Sequence, residues 1–236
     1  MPALSVVLPA YNEQSNLADA VEEVLKHIAS VVSDLEIIVV DDGSTDQTRK
    51  ILAALASRHP QVVPLHQANS GHGQALSNGV NRASGGHLLL LDSDRQVSLE
   101  NFAVHWRMMS DYDVLLGCRW PRRDPVHRMF VSKALRLLLA AKFGLAAKDA
   151  NAPYKLLAHG VWDEAIGRMR SGSVIPSALL AARALQRTDI RVLQVTVGYS
   201  ERPHGSSTLN LRRLARLSAK AVADIFFFRT GSSGHA

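Results

Sequence analysis

The chain predicts an α/β fold: a single domain over residues 1–230, with a mostly parallel central sheet, helices on both faces and a basic amphipathic C-terminal helix. Residues 231–236 read as a flexible tail. Three observations predict this. Short β-branched runs alternate with segments of helical spacing through the first hundred residues. Each apolar run ends in polar turn residues. No internal repeat or low-complexity linker divides the 236 residues, a length that buries a full-sized core as one domain.

Leu4–Leu8 and Glu36–Val40 read as buried strands, and between them Leu17, Val21, Val24, Leu25 and Ile28 recur at helical spacing. Ser44 and Gln47 stand three apart, the pattern of a capping box opening a second helix. Val62–Leu65 is a further strand, which Pro64 demotes to a sheet edge. A helix through Ala75–Ala83 and a strand at His87–Leu91 follow. Beyond residue 100 the pattern loosens to helices at Leu99–Met109 and Ser132–Leu145, and strands at Asp113–Gly117 and Ile190–Tyr199. A Pro- and Arg-rich loop spans Arg119–Arg128. The stretch from Leu209 to Phe228 is amphipathic and basic.

Composition narrows the function. Apolar residues make up 47% and charged residues 20%, which excludes a disordered chain. Lone Cys118 rules out an internal disulfide, fits a reducing compartment and reads as a small buried hydrophobe. No targeting segment stands out, and no run reaches the ~18 apolar residues of a membrane span. Residues 1–100 carry 6 Lys/Arg against 12 Asp/Glu, and residues 101–236 carry 21 against 9. The acidic half suits a metal ion, and the basic half suits phosphates or an anionic membrane surface.

In an open α/β sheet, ligands bind at the carboxyl ends of the strands. There the sequence places Pro9-Ala10-Tyr11-Asn12-Glu13, Asp41-Asp42-Gly43 and Asp92-Ser93-Asp94. If the strands run parallel, these carboxylates converge on one edge. Two aspartates one residue apart suit Mg²⁺ or Mn²⁺, a hard cation held by one or two carboxylates plus substrate phosphates. Such an ion eases departure of a phosphate leaving group.

The segments VVLPAYNEQSNL, EIIVVDDGSTDQT and NSGHGQALSNGVNRASGGHLLLLDSDRQ resemble the opening motifs of inverting family 2 glycosyltransferases. The nearest likeness is to the dolichol- or polyprenyl-phosphate sugar synthases. The resemblance is dense through residue 104. It resumes at Gly117-Cys118-Arg119, at DANAPYKLL (149–157) and at ERPHGSSTL (201–209). It implies the Rossmann-like GT-A fold, with residues 1–100 as the nucleotide- and metal-binding half and 101–230 as the acceptor half. It also implies a UDP- or GDP-sugar donor and Mg²⁺ or Mn²⁺ as cofactor.

Carried over by position, the resemblance sets Pro9, Tyr11, Glu13 and Asp42 around the base and ribose. Gly71, Gly73, Ala75 and Gly79 belong to the stretch where the backbone approaches the nucleotide. Asp92 would contact the donor near its ribose or sugar, and Asp94 and Gln96 would ligate the metal. Asp92, Asp94 and Arg119 form the catalytic set. Arg119, Arg128 and Arg202 would hold an acceptor phosphate. A lipid phosphate needs no general base, because its oxygens are already ionised near neutral pH. Eight Lys/Arg against Asp124 alone, between Arg119 and Lys148, supply positive charge for such an acceptor. Leu135, Leu138, Leu139 and Leu145, with Leu211, Leu214, Leu217 and Phe226–Phe228, offer apolar helix faces to lipid. The expected location is cytoplasmic, peripheral on the cytoplasmic membrane face.

Two stretches depart from the family pattern: Ser207-Thr208 stands for a Ser-Lys pair, and Asn151-Ala152-Pro153-Tyr154-Lys155 for Cys-Gly-Phe-Lys/Arg. They leave open a second reading, the same donor chemistry with a soluble hydroxyl or amine acceptor and Asp149 as base. A third, a non-enzymatic basic α/β protein for nucleic acid, finds no recognition motif, and aromatics are sparse at 6%; no nucleic acid is expected as partner. A dinucleotide enzyme is disfavoured because no G-x-G-x-x-G opens the first helix. Nothing in the sequence fixes the oligomeric state.

Overall fold

A computed structural model describes residues 3–121, 126–144, 147–200 and 211–230, with the side chains of 126–131 and 211–215 outside the description. A seven-stranded sheet runs through it in the order β3-β2-β1-β4-β6-β5-β7. The strands are β1 (Leu4–Ala10), β2 (Leu35–Asp42), β3 (Val62–Gln67), β4 (His87–Leu90), β5 (Val114–Trp120), β6 (Lys155–Ala158) and β7 (Val192–Gly198). Parallel pairing joins β3, β2, β1 and β4, and also β5 with β7. Only β6 runs against its neighbours, pairing antiparallel with both β4 and β5.

Among the described residues, eight helices accompany the strands: α1 (Leu17–Ile28), α2 (Thr48–Arg58), α3 (His72–Arg82), α4 (Phe102–Met108), α5 (Val126–Phe143), α6 (His159–Ile166), α7 (Pro176–Gln186) and α8 (Leu211–Phe227). They lie on both faces, as the period-two alternation of the strands requires. Leu4, Val6 and Leu8 of β1 pack into one core with α1, α2 and Phe102 of α4. Val7, from the other side of β1, packs with Leu76 and Val80 of α3, Trp162 of α6 and Leu179 of α7. Leu139 and Phe143 of α5 and Ile225 and Phe228 of α8 complete this second core.

Pro64 sits on an edge strand, as its missing N–H demands. The capping box does not form. Helix α2 starts at Thr48, and Asp46 Oδ1 accepts its backbone N–H at 2.9 Å, while Ser44 Oγ accepts from Asn12 N at 3.0 Å. The residue at the expected cap position is thus spent on tying two loops together. The apolar helix faces divide: Leu139 and Phe228 are core, whereas Leu137, Leu138, Phe226 and Phe227 are exposed. Leu145, Leu211 and Leu214 fall outside the described side chains. Cys118 is half-buried on β5.

Candidate active site

Strand β1 lies between β2 and β4, so the chain leaves it in one direction through β2 and β3 and returns on its other side at β4. That reversal opens a crevice at the carboxyl ends of β1 and β4, where open α/β sheets bind ligands. A cavity of about 690 Å³ occupies this place. Its walls come from Pro9–Glu13 after β1, Asp42 at the end of β2, and Asn69–Ala75 leading into α3. Ser15, Asn16, Asp92–Asp94 after β4, Gly172–Val174, and Arg216, Leu217 and Lys220 of α8 complete it. Of the residues expected at the nucleotide, all but Gly79 therefore meet in one cleft: Pro9, Tyr11, Glu13, Asp42, Gly71, Gly73, Ala75 and Asp92, with Asp94 beside them.

Asp42 is almost completely buried, and its carboxylate is engaged by protein donors. Oδ1 accepts from Gln67 Nε2 at 2.7 Å and Ser70 N at 2.8 Å, and Oδ2 accepts from Gly71 N at 2.9 Å. A buried carboxylate held by such charge-assisted bonds is a clamp on the loop ahead of α3. Gly71, at φ +90°, then turns that loop with nothing within 4 Å of a would-be Cβ. A Cβ on Gly73 would collide with Ser173 O, so this glycine lets α3 meet the 172–174 wall. Gly79 lies outside the cleft, and its role is helix-on-sheet packing.

Ser93 Oγ donates to Pro9 O at 2.9 Å, joining the ends of β1 and β4. Arg95 adopts φ +60°, an uncommon conformation for a non-glycine residue, and turns the chain away after Asp94. Its guanidinium reaches Asp19 and Glu23 on α1. Asp94 Oδ1 accepts the backbone N–H of Gln96 at 3.3 Å. The Gln96 side chain is not on the cleft wall; its Nε2 donates to Ser200 O at 3.2 Å.

His72 is the residue that sequence reasoning missed. Its Nε2 stands 2.9 Å from Asp92 Oδ1, and both side chains keep cleft exposure, 58% and 37%. Desolvation pushes the imidazole pKa down, but Asp92, Asp94 and Asp42 outweigh it and hold it above its usual value. Desolvation likewise pushes Asp92 up, and His72, Lys155 and Arg119 outweigh it and hold the carboxyl below the usual range. The only sequence signal was a titratable residue between two glycines of the loop, Gly71-His72-Gly73.

Arg119 is not on the cleft wall. It forms a two-pronged pair with Asp149, Nε to Oδ2 at 2.7 Å and Nη2 to Oδ1 at 2.9 Å. Both side chains are nearly buried, and the guanidinium lies 5.0 Å from the centre of the Tyr199 ring. Lys155, at the start of β6, is fully buried beside this pair and donates to Ala152 O. Because β6 runs antiparallel, its first residue lies at the same sheet edge as the cleft, in register with Leu90. Behind Asp92 there is thus a buried basic cluster. The Arg128 side chain and all of Arg202 lie outside the described residues.

The model of the family described as glycosyl transferase family 2 matches residues 5–169. Undecaprenyl-phosphate 4-deoxy-4-formamido-L-arabinose transferase of Pseudomonas fluorescens is 28% identical over 220 residues, covering 91% of this chain and 62% of that protein. The protein of the same name from Yersinia enterocolitica is also 28% identical over 220 residues, covering 91% and 64%. The chain therefore spans less than two thirds of the length of these relatives. Among solved structures, glucosyl-3-phosphoglycerate synthase from Mycobacterium tuberculosis, in complex with Mn²⁺, UDP and glucosyl-3-phosphoglycerate, matches with a TM-score of 0.67. It is 21% identical, over 99% of this chain and 82% of that one. The mannosyltransferase PcManGT from Pyrobaculum calidifontis, in complex with GDP-Man and Mn²⁺, matches with a TM-score of 0.63 at 16% identity, over 95% and 63%. These two likenesses speak for the fold, a GT-A-like domain. Since the family match takes in all of the sheet except Leu4 and β7, and most of the cleft, the chain belongs to glycosyl transferase family 2.

Proposed function

We propose that this chain transfers a sugar, with inversion, from a UDP- or GDP-linked donor to a polyprenyl or dolichyl phosphate at a membrane surface. The observation that carries the reading is the β1/β4 cleft, which brings Asp92 and Asp94 against the Asp42-clamped loop. The relatives' names, undecaprenyl-phosphate sugar transferases, support the acceptor class. The fold neighbours solved with UDP or GDP-Man and Mn²⁺ support the donor class.

The donor set fits a divalent cation of the Mg²⁺ or Mn²⁺ kind. Among the described residues, no three His, Cys, Asp or Glu side chains cluster as metal ligands. Asp94 lines the cleft beside Asp92, and one or two carboxylates suit an ion that takes its remaining ligands from a diphosphate and water. Asp94 would hold it, and the bound ion would supply charge neutralisation at the leaving diphosphate. Gln96 reaches the same ion only by leaving Ser200 O.

The protein's own share is placement. Pro9, Tyr11 and Glu13 form the bed for base and ribose, and the 69–75 loop offers backbone to the phosphates. His72 fixes the Asp92 carboxylate that faces the sugar. An acceptor phosphate oxygen forms the new bond to the anomeric carbon as the old carbon–oxygen bond breaks. The electron pair of that bond leaves with the nucleoside diphosphate. No proton has to be removed from an ionised phosphate. Asp149, the base of the soluble-acceptor reading, already has both oxygens on Arg119, which favours the phosphate acceptor.

Membrane-surface work fits the exposed Trp120, Leu137, Leu138, Phe226 and Phe227. Lys142 and Arg170 lie over the Phe226 and Phe227 rings, the mixture of apolar and cationic groups that suits an anionic interface. No helix among the described residues is long and apolar enough to cross a membrane. Co-flotation with anionic vesicles, reduced by Phe226→Ser with Phe227→Ser, tests the location; equal flotation would reject it. For the reaction, labelled nucleotide sugars with Mn²⁺ and a polyprenyl phosphate in detergent should give an organic-extractable product. Product formed with soluble acceptors alone would reject the lipid-phosphate reading.

A further inference from the structure

Arg216, Lys220 and Asp224 follow one another at intervals of four on α8, which stacks three side chains along one helix face. The two ends of that stripe are in different surroundings. Asp224 is buried, and its Oδ2 accepts from Ser173 Oγ at 3.0 Å and from Val174 N at 2.8 Å. Ser173 and Val174 belong to the cleft wall that Gly73 touches. The contact therefore fastens α8 to the cleft. One and two turns back from it, Lys220 and Arg216 line the cleft. Both are exposed, and neither has an ion-pair partner among the described residues.

Two cations thus line the same cavity as Asp42, Asp92 and Asp94. None of those carboxylates is paired with them: Asp42 is closed by its loop and Asp92 is taken by His72. Among the described residues, the Lys and Arg side chains on the cleft wall are those of α8, Arg216 and Lys220, with His72 at Asp92. We propose that Arg216 and Lys220 form a phosphate-binding pair that completes the site from α8, with the Asp224–Ser173 contact as its mounting. Arginine offers a planar fork to two phosphate oxygens, and lysine a point charge beside it. The pair rests on the cleft being a nucleotide-sugar site, and its ligand is a phosphate group of either the donor or the lipid acceptor.

The test compares wild type, Arg216→Gln with Lys220→Gln, and the charge-preserving Arg216→Lys with Lys220→Arg. UDP and GDP are titrated calorimetrically with Mn²⁺, and KM for polyprenyl phosphate is measured at saturating donor. A loss of about tenfold or more in nucleotide affinity assigns the pair to the donor diphosphate. Unchanged nucleotide affinity with a rise of about tenfold in lipid-phosphate KM assigns it to the acceptor. In either case the charge-preserving variant recovers most of the loss, and the melting temperature stays at the wild-type value because both side chains are exposed. If the double Gln variant matches wild type in both measurements while wild type binds nucleotide, the pair is overturned and the donor site stands. If wild type binds neither UDP nor GDP, the donor site falls and takes the pair with it.

Discussion

A methyl group added at Gly79 would fall 2.5 Å from Val7 Cγ1 and 2.9 Å from Val40 Cγ2, both core side chains of the sheet. Gly79→Ala should therefore overpack the α3 seat and destabilise by about 1–3 kcal/mol, read from a denaturant midpoint. The sequence signalled glycines here but not their division of labour, because packing distance is not written in spacing. Asp42 was legible as a site residue, yet its role as a loop clamp depends on Ser70 and Gly71 curling back onto β2. Lys155 carries a pH signature. Burial pushes its ammonium down to about 8, against the pull of Asp149 and Asp92, while an unfolded lysine titrates near ~10.4. Between those values the unfolded chain binds more protons than the folded one, so stability rises with pH there and the full cost stands below. Wild type should gain stability relative to Lys155→Met between about pH 7 and about pH 10. A gap in denaturation free energy that stays constant or moves the other way would contradict a buried, charged lysine.

Helix α8 was read from sequence as a lipid-facing amphipathic element, and half of that reading meets a different use. Leu217 lines the cleft, and Phe228 packs in the core against Phe143 with ring centres 5.1 Å apart. What spacing could not show is which carboxylate tethers the helix. Asp224 interrupts an apolar run of the sequence, and it is the buried anchor. Asp224→Ala leaves Ser173 Oγ and Val174 N without that acceptor and should cost about 1–3 kcal/mol in thermal or chemical unfolding. Asp224→Asn, which keeps an acceptor oxygen, should cost less. Equal melting temperatures for wild type and Asp224→Ala would show that α8 is not held by this contact. Among the strands, β6 went unread because four residues opening on a lysine carry no alternation to detect, and its antiparallel direction comes from the sheet alone.

For the whole molecule, the strands and helices through residue 100 were legible because each repeats its period and ends on a turn. Their order in space was not, since a run of apolar residues does not say which neighbour it pairs with. Chain direction still predicted that the carboxylates after β1, β2 and β4 would share one edge, and Glu13, Asp42, Asp92 and Asp94 do line one cavity. The acceptor side was less legible: Arg119 turns to Asp149 instead of the cleft, and among the described residues the Lys and Arg side chains on the cleft wall come from α8, later in the chain. The most direct test of the account is calorimetric titration of UDP and GDP, with and without Mn²⁺, into wild type and Asp94→Ala. One of the two nucleotides should bind wild type, with affinity that rises by about tenfold or more when Mn²⁺ is present and a gain that Asp94→Ala abolishes. Binding that ignores both the metal and Asp94, or no binding of either nucleotide, would contradict it.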